Sequence, residues 1–311
     1  PDSYGYRPAK SALDAVGKAR RRCWKYNWVL DLDIKGFFDN IDHNLLLRAI
    51  RKHTSCKWVL LYIQRWLEAP VQLQDGTVEE RRKGTPQGSV ISPLLANLFL
   101  HYAFDRWMQR NCPAIPFERY ADDVICHCIS QSQARWLLEE VRNRLAECKL
   151  ELNLEKTAIV YCKDELRKDD YLKVKFDFLG FTFQPRLVRT RKGRLFVGFN
   201  PGMSQKAAKK MRSEIRSWEI HLRSDKSIED LSRMFNPKLR GWVNYYGSFY
   251  RSVLYKNLRC LSVILAKWAM RKYKRFRAHQ RRAGRWLGRI QRRSSYLFAH
   301  WQLAAKAVAG R

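Results

Sequence analysis

Tyr120-Ala121-Asp122-Asp123 constrains this chain more than any other stretch of it. Two adjacent carboxylates stand between an apolar approach, Ile115 to Phe117, and an apolar exit, Val124 to Ile129. That pattern predicts a β-hairpin whose tight connection carries the acids. Two neighbouring Asp side chains at a half-buried tip repel, and each raises the other's pKa. A hard cation such as Mg²⁺ removes the conflict, because it prefers carboxylate oxygen and is held by one or two carboxylates plus substrate phosphates. Asp is also a common turn former, so the stretch by itself leaves a metal site and a solvated turn both open.

The rest of the chain supplies a frame for it. Ser11 predicts the cap of a helix running to about Tyr26. Trp28-Val-Leu-Asp-Leu-Asp33 has strand character, and a period of two puts Asp31 and Asp33 on one face. An acid that closes a strand just before a turn, here at Gly36, is held by rigid backbone. Asp42 predicts the cap of a helix through Lys52, residues 55 to 68 another helix, and Val71 to Arg82 a hairpin turned at Asp75-Gly76. Gly84-Thr-Pro-Gln-Gly-Ser89 is a loop whose glycines let backbone approach a ligand. Ser92-Pro93 predicts a helix start in cap-then-proline order, continuing to about Gln109. Ser130 to Lys149 has helical spacing at Trp136, Leu137, Val141 and Leu145, and a strand follows around Ala158 to Cys162. Phe176 to Phe183 reads as a second, aromatic hairpin. Beyond it Arg186 to Arg194 reads as a basic turn and Asn200-Pro-Gly as a breaker, with helices expected near 204 to 222, 227 to 234, 238 to 247 and 251 to 277. The change of character sets a boundary between 185 and 200, giving domains 1–190 and 191–311.

Charge then separates the two parts. The chain carries 61 Lys and Arg against 29 Asp and Glu, an excess that implies a polyanionic partner. Residues 186 to 311 hold 32 of the cations and only 5 acids, so the second part is the phosphate-binding candidate and the first keeps the acids a metal site needs. Residues 271 to 293 carry 11 Lys or Arg and no acid, interrupted by Tyr273, Phe276 and Trp286. Without a polyanion such a run repels itself, which makes Arg271, Lys272, Lys274, Arg275, Arg277, Arg281, Arg282 and Arg285 candidate RNA contacts, with the rings available for base stacking. No run of 18 apolar residues suggests a membrane span. The eight cysteines form no CxxC pair, which argues against a zinc ribbon or a disulfide framework and for reduced thiols in a cytosolic setting. Cys126-His127-Cys128 is their one cluster, expected to be buried strand packing rather than a zinc site.

The ordered motifs carry a family resemblance. Ser3-Tyr-Gly-Tyr-Arg-Pro8, Asp33-Ile-Lys-Gly-Phe-Phe-Asp39, Gly84 to Pro93, Tyr120 to Asp123, Leu152-Asn-Leu-Glu-Lys-Thr157, Phe178-Leu-Gly-Phe181 and Pro237-Lys-Leu-Arg-Gly-Trp-Val-Asn-Tyr-Tyr246 span nearly the whole chain. In that order they resemble the reverse transcriptase and maturase encoded by group II introns. The resemblance implies an α+β fold: a palm of antiparallel sheet packed on helices, with only a remnant of fingers, then an all-helical thumb or maturase domain. It implies an RNA-directed DNA polymerase with two Mg²⁺ ions, roughly 3.5 to 4 Å apart, and deoxynucleoside triphosphates as substrates. Asp33, Asp122 and Asp123 match the family's metal-binding acids, with Asp31 the rival for the first position. Ile34, Phe38, Gln87 and Gly88 match its nucleotide-binding surface, Phe38 as the gate against a ribose 2′-hydroxyl. Lys156 matches the proton donor to pyrophosphate, and Phe178, Leu179 and Gly180 match the primer grip. The implied partners are group II intron RNA and a DNA target or primer, without a membrane and with protein partners open. The implied setting is the bacterial cytoplasm at the nucleoid, an organelle remaining open.

The family carries more chain before Ser3, which forms the fingers, and some members carry an endonuclease of the His-Asn-His type after the thumb; neither is expected in this chain. The alternative reading is a maturase only, an RNA-binding splicing cofactor without polymerase activity. A reverse transcriptase outside introns fits Pro237 to Tyr246 and the basic thumb less well.

Overall fold

The computed structural model describes residues 2–72, 75–86, 88–190 and 192–303. The chain divides into two compact units, Pro1–Leu179 with Gln184–Phe199, and Gly180–Phe183 with Asn200–Arg311.

In the first unit, helix α1 (Ala12–Cys23) starts at Ser11, whose hydroxyl accepts from the Asp14 amide while the Asp14 carboxylate accepts from the Ser11 amide. This reciprocal box satisfies amides that a helix start otherwise leaves unpaired. Strand β1 (Trp28–Leu32), the single turn α2 (Phe37–Asn40) and α3 (His43–Arg51) follow, α3 being capped by the Asp42 carboxylate on the Leu45 amide. Next come α4 (Lys57–Glu68) and a small hairpin of β2 (Val71–Gln72) and β3 (Val78–Glu79). Helix α5 (Ser92–Leu100) runs through a π-helical turn, His101–Asp105, into α6 (Arg106–Asn111). Strands β4 (Phe117–Tyr120) and β5 (Asp123–Cys128), helix α7 (Gln131–Glu147) and strands β6 (Ala158–Tyr161) and β7 (Phe176–Phe178) follow.

Four of these strands form one antiparallel sheet in the order β4-β5-β1-β6. Alternation decides which side is covered: Trp28, Leu30, Leu32, Val124, Cys126 and Cys128 join a core with residues of α3, α5 and α7. Asp31, Asp33 and Asp123, at the intervening positions, take the other face. Cys126 and Cys128 are fully buried free thiols, as expected of strand packing. On the opposite face His127 Nε2 meets Glu118 at 2.5 Å, and Glu118 accepts from Arg22 of α1 at 2.6 Å.

Three local expectations need correction. Ser92 is the first residue of α5 rather than its cap, which is Ile91; its hydroxyl donates to the Pro86 carbonyl at 2.6 Å. The helix expected to run evenly to Gln109 is widened at His101–Asp105. Trp136 is half exposed, because the buried stripe of α7 is Ala134, Leu137, Val141 and Leu145, and Trp136 lies beside it rather than on it.

Strand β8 (Phe181–Arg189) and strand β9 (Leu195–Met203) replace the basic turn expected over Arg186 to Arg194. Asn200-Pro-Gly lies inside β9 instead of breaking the chain; β9 is an edge strand, where a missing N–H is tolerated. In the second unit α8 (Gln205–Ser217), α9 (Ile228–Tyr246), α10 (Arg251–Lys272) and α11 (Gln280–Arg293) surround a separate core. The helices expected at 227 to 234 and 238 to 247 are one, with Pro237 inside it, although proline removes one helical hydrogen bond. Leu231, Phe235 and Leu239 nevertheless bury one continuous stripe across it. Asn236 fastens the C-terminal segment, donating to the Leu297 carbonyl at 2.7 Å and accepting from the Ala299 amide at 3.0 Å.

His300 gives this unit a pH dependence. It is buried beside Phe298 and Trp301, and neither ring nitrogen has a hydrogen-bond partner among the described residues. Burial holds its pKa down at about 3. The unfolded chain therefore takes up a proton below about pH 6.5 that the folded chain refuses. Stability falls as pH drops from about 6.5 towards 3, by about 2 to 3 kcal/mol at pH 4.5. Urea unfolding of the wild type and His300→Phe across this range should show a shallower acid loss in the variant; parallel curves would rule the effect out.

Candidate active site

Tyr120 and Asp123 face each other across the β4–β5 pair, leaving Ala121 and Asp122 as the turn. Ala121 has φ +57, a left-handed conformation that costs a residue with a Cβ roughly 1 to 2 kcal/mol. The surroundings fix it. Arg119, fully buried, donates from Nη1 to the Ala121 carbonyl at 2.9 Å and to Asn97 Oδ1 at 2.7 Å. Its Nε and Nη2 form a fork on the Asp105 carboxylate, both at 2.6 Å. Asn97 in turn donates to the Gly5 carbonyl at 2.6 Å. A Cβ on Gly5 would lie 2.5 Å from the Ala121 amide nitrogen, so only glycine lets the N-terminal segment pass this close.

The acids gather at one end of the sheet. Leu32 pairs with Val124, which places Asp33 beside Asp123 just beyond the last rung. The Asp33 amide donates to the Thr157 hydroxyl at 3.3 Å and its carbonyl accepts from the Asn153 amide at 2.8 Å. Lys156, on the same connection, holds Nζ 3.9 Å from Asp33 Oδ2. Burial, with the charges of Asp122, Asp33 and Asp177 added, pushes Asp123 up to about 7, against the Leu179 amide that donates to it at 3.4 Å. Burial and the Asp33 charge also raise Asp122, opposed by Arg119. Asp31 lies inside the sheet between Ile125 and Ala158; burial and then Asp123, Asp177 and Asp33 hold it well above the usual carboxylate range.

Among the described residues, no three His, Cys, Asp or Glu side chains are arranged as a ready-made metal shell. The donor set still fits a hard divalent cation, which takes one or two carboxylates and completes its shell with phosphate oxygen and water. The upward shifts of Asp31, Asp122 and Asp123, from burial first and neighbouring acids second, mark where positive charge would be most stabilising.

The other expected residues divide. Ile34 is buried and bridges to Leu152. Phe38 is half-buried, edge-on to Phe37 at 5.2 Å, and its carbonyl accepts from the Thr85 amide at 2.7 Å. This ties the Gly84 loop to the Phe37-Phe38 turn, and a Cβ on Gly84 (φ +81) would lie 2.7 Å from the Asp39 carbonyl oxygen. Gly88 has open space around it; Gln87 lies outside the described residues. Phe178 is fully buried, and Leu179 has φ +50 next to its contact with Asp123. Gly180, with φ +78, belongs to the second unit, where a Cβ would lie 3.2 Å from the Tyr246 hydroxyl.

Of the basic candidates, Arg271, Lys274, Arg275, Arg277, Arg281, Arg282 and Arg285 are exposed. Lys272 is instead engaged with the Ser224 carbonyl at 2.8 Å. Tyr273, Phe276 and Trp286, expected as stacking rings, pack on one another and on Trp268. Sequence reasoning also missed Arg119, Asp105, Asn97 and Asp177. A charged pair, Glu118-Arg119, in the middle of an otherwise apolar strand was the available signal.

Comparison with known proteins finds relatives of both parts of the chain. Residues 1–183 match the family described as reverse transcriptase (RNA-dependent DNA polymerase), and residues 208–286 match the group II intron maturase-specific domain. The chain is 30% identical over 231 residues to Protein YkfC of Escherichia coli (strain K12), covering 61% of this chain and 55% of that protein. It is 26% identical over 329 residues to the Group II intron-encoded protein LtrA of Lactococcus lactis subsp. cremoris, covering 79% and 53%. The chain thus spans about half the length of the curated relatives it matches. Apo telomerase from Candida Tropicalis has the same fold, with a TM-score of 0.51 at 13% identity over 88% of this chain and 52% of that one. No described helix is long and apolar enough to cross a membrane.

Proposed function

From its membership of the reverse transcriptase family, in the group II intron reverse transcriptase and maturase branch, we propose that this chain is an RNA-directed DNA polymerase that also binds intron RNA and so assists splicing and mobility. The observation that carries the reading is the meeting of Asp33, Asp122, Asp123 and Lys156 at one sheet end. Asp33, Asp122 and Asp123 would hold the divalent cations, two Mg²⁺ in this reading, which lower the charge on the triphosphate and on the attacking 3′-oxygen. The primer 3′-hydroxyl gives up its proton to solvent as its oxygen bonds to the α-phosphorus of the deoxynucleotide, and the bond to pyrophosphate breaks. Lys156 Nζ supplies a proton to the departing pyrophosphate oxygen. Phe38, fixed through its carbonyl to Thr85, occupies the space of a ribose 2′-hydroxyl. Phe178 and Leu179 support the primer end, and Leu179 reaches Asp123 through its amide. The proposed setting is the bacterial cytoplasm, at the nucleoid, in line with the bacterial relatives.

Two variants separate the chemical role from the RNA-binding role. Asp122→Ala should abolish DNA primer extension on an RNA template while leaving RNA affinity unchanged. Arg281→Ala with Arg282→Ala and Arg285→Ala should weaken RNA binding and reduce the slope of log affinity against log salt by roughly 2 to 3, at roughly 0.7 to 0.9 per lost phosphate contact. Equal synthesis by Asp122→Ala and wild type would remove the proposed catalytic role. RNA binding and splicing assistance without any extension by the wild type would leave a maturase alone.

A further inference from the structure

We propose that the helical side of the first unit carries a second RNA site, a basic cleft between α3, the π-turn with α6, and α7 that holds the phosphate backbone of structured RNA. The inference rests on the RNA-binding reading above and assigns part of it to a surface of the first unit. Two cavities of about 310 Å³ and about 480 Å³ share Lys52, Tyr102 and Arg144, and so form one continuous cleft. Arg106, Trp107 and Arg110 line the larger cavity, and Arg48 lines the smaller. Among the described residues, the one acid lining either cavity is Glu147.

Glu147 does not neutralise the cleft; it orients one of its cations. Arg144 donates to Glu147 at 2.8 Å, to the Ala103 carbonyl at 3.0 Å and to the Tyr102 carbonyl at 3.4 Å. The π-turn thus anchors the guanidinium. Lys52 lies over the Tyr102 ring at 4.6 Å, and the Tyr102 hydroxyl meets His53 Nε2 at 3.0 Å, so this wall is also braced. Arg48, Lys52, Arg106 and Arg110 are exposed.

Five cations facing one acid exceed what a single phosphate requires, and suit a run of phosphodiesters that release condensed counterions on binding. Tyr102, Trp107 and the Asn111 amide beside them suit unpaired bases and 2′-hydroxyls, which folded RNA presents in loops and shallow grooves. An acidic protein surface would use the charge alone. The location decides the role. The helices that line the cleft cover the core face of the sheet through Leu30, Leu32, Val124 and Cys126, whereas Asp33 and Asp123 lie on the other face. RNA seated here stays clear of the catalytic acids and is held during DNA synthesis.

The test uses the full chain and a labelled RNA hairpin, titrated over a range of salt. Lys52→Ala with Arg106→Ala and Arg110→Ala should lower affinity by about 10- to 100-fold and reduce the salt slope by roughly 2 to 3. Extension of a short DNA primer on an unstructured RNA template should stay within about twofold of wild type. A control with the same charge loss elsewhere, Lys25→Ala with Lys57→Ala and Lys168→Ala, should cost less than about threefold. Equal losses for the two triple variants would overturn the proposal, because the attraction would then be diffuse. Full competition by polyglutamate at equal charge concentration would also overturn it, in favour of an acidic protein partner. Ultraviolet crosslinking of the hairpin to a peptide containing Tyr102 or Trp107 gives a second readout, lost in the cleft variant and kept in the control. Failure of the wild type to bind the hairpin would instead sink the RNA-binding reading itself.

Discussion

Asp33→Asn lowers primer extension by about 10³-fold or more, about 4 kcal/mol of transition-state stabilisation, whereas Asp31→Asn stays within about tenfold of wild type. The two carboxylates share a sheet face, and position alone separates them. Asp31 is flanked on both sides, by Ile125 of β5 and Ala158 of β6, so neighbouring strands limit what can approach it. Asp33 stands past the last rung, beside Asp123, with its side chain 43% exposed and Lys156 Nζ at 3.9 Å. A triphosphate can reach Asp33 and Lys156 together. Steady-state extension with each variant, with folding checked by circular dichroism, decides between them. Comparable activity of Asp33→Asn and wild type, or a larger loss for Asp31→Asn, reverses the assignment.

Arg119→Ala destabilises the first unit by about 3 to 5 kcal/mol, the usual cost of leaving one half of a buried ion pair without its partner. Asp105 is almost fully buried. Burial works to raise its pKa, yet the Arg119 fork, with the His101 ring 3.5 Å away, holds it below the ordinary carboxylate value. Removing the guanidinium leaves that charge only His101 at 3.5 Å and Arg7 at 3.8 Å, and takes the donor from the Ala121 carbonyl and Asn97 Oδ1 at the same time. The urea midpoint should fall accordingly. Arg119→Met combined with Asp105→Leu should recover most of the loss, because an apolar pair of similar volume often replaces a buried ion pair at little cost. Primer extension should not recover in the double variant, since nothing then holds Ala121 in its left-handed conformation. A midpoint unchanged in Arg119→Ala would show that the pair does not support the fold.

These residues also mark how far the sequence could be read. The hairpin of Phe117–Tyr120 and Asp123–Cys128 was legible because burial on one face imposes a period of two, and the caps Ser11 and Asp42 because side chains that serve helix starts are few. The bond between Arg119 and Asp105 was not legible, since it joins positions 14 apart and starts from the last residue of a π-turn, where regular helical spacing no longer holds. Clustered arginines hid β8, which continues to Arg189, because charge says little about backbone where one side of a strand is solvated. The aromatics of the basic segment were visible as rings but not as core: only the fold brings Trp268 to Tyr273 and Trp286, and Phe276 to Trp286.

The π-turn bears on which changes of length this lineage can accept. Such a turn amounts to one residue more than a regular helix needs. Within the wide turn that residue is absorbed locally, so the helix beyond it keeps the facing that an unbroken rod would give. Deleting one residue within His101–Asp105 would let the rod heal into ordinary helix with Arg106 and Arg110 still on their side of it, whereas the same deletion within α5 or α6 would swing everything after it by about 100°. Single-residue changes of length should therefore be commoner across this one turn than in the helix on either side.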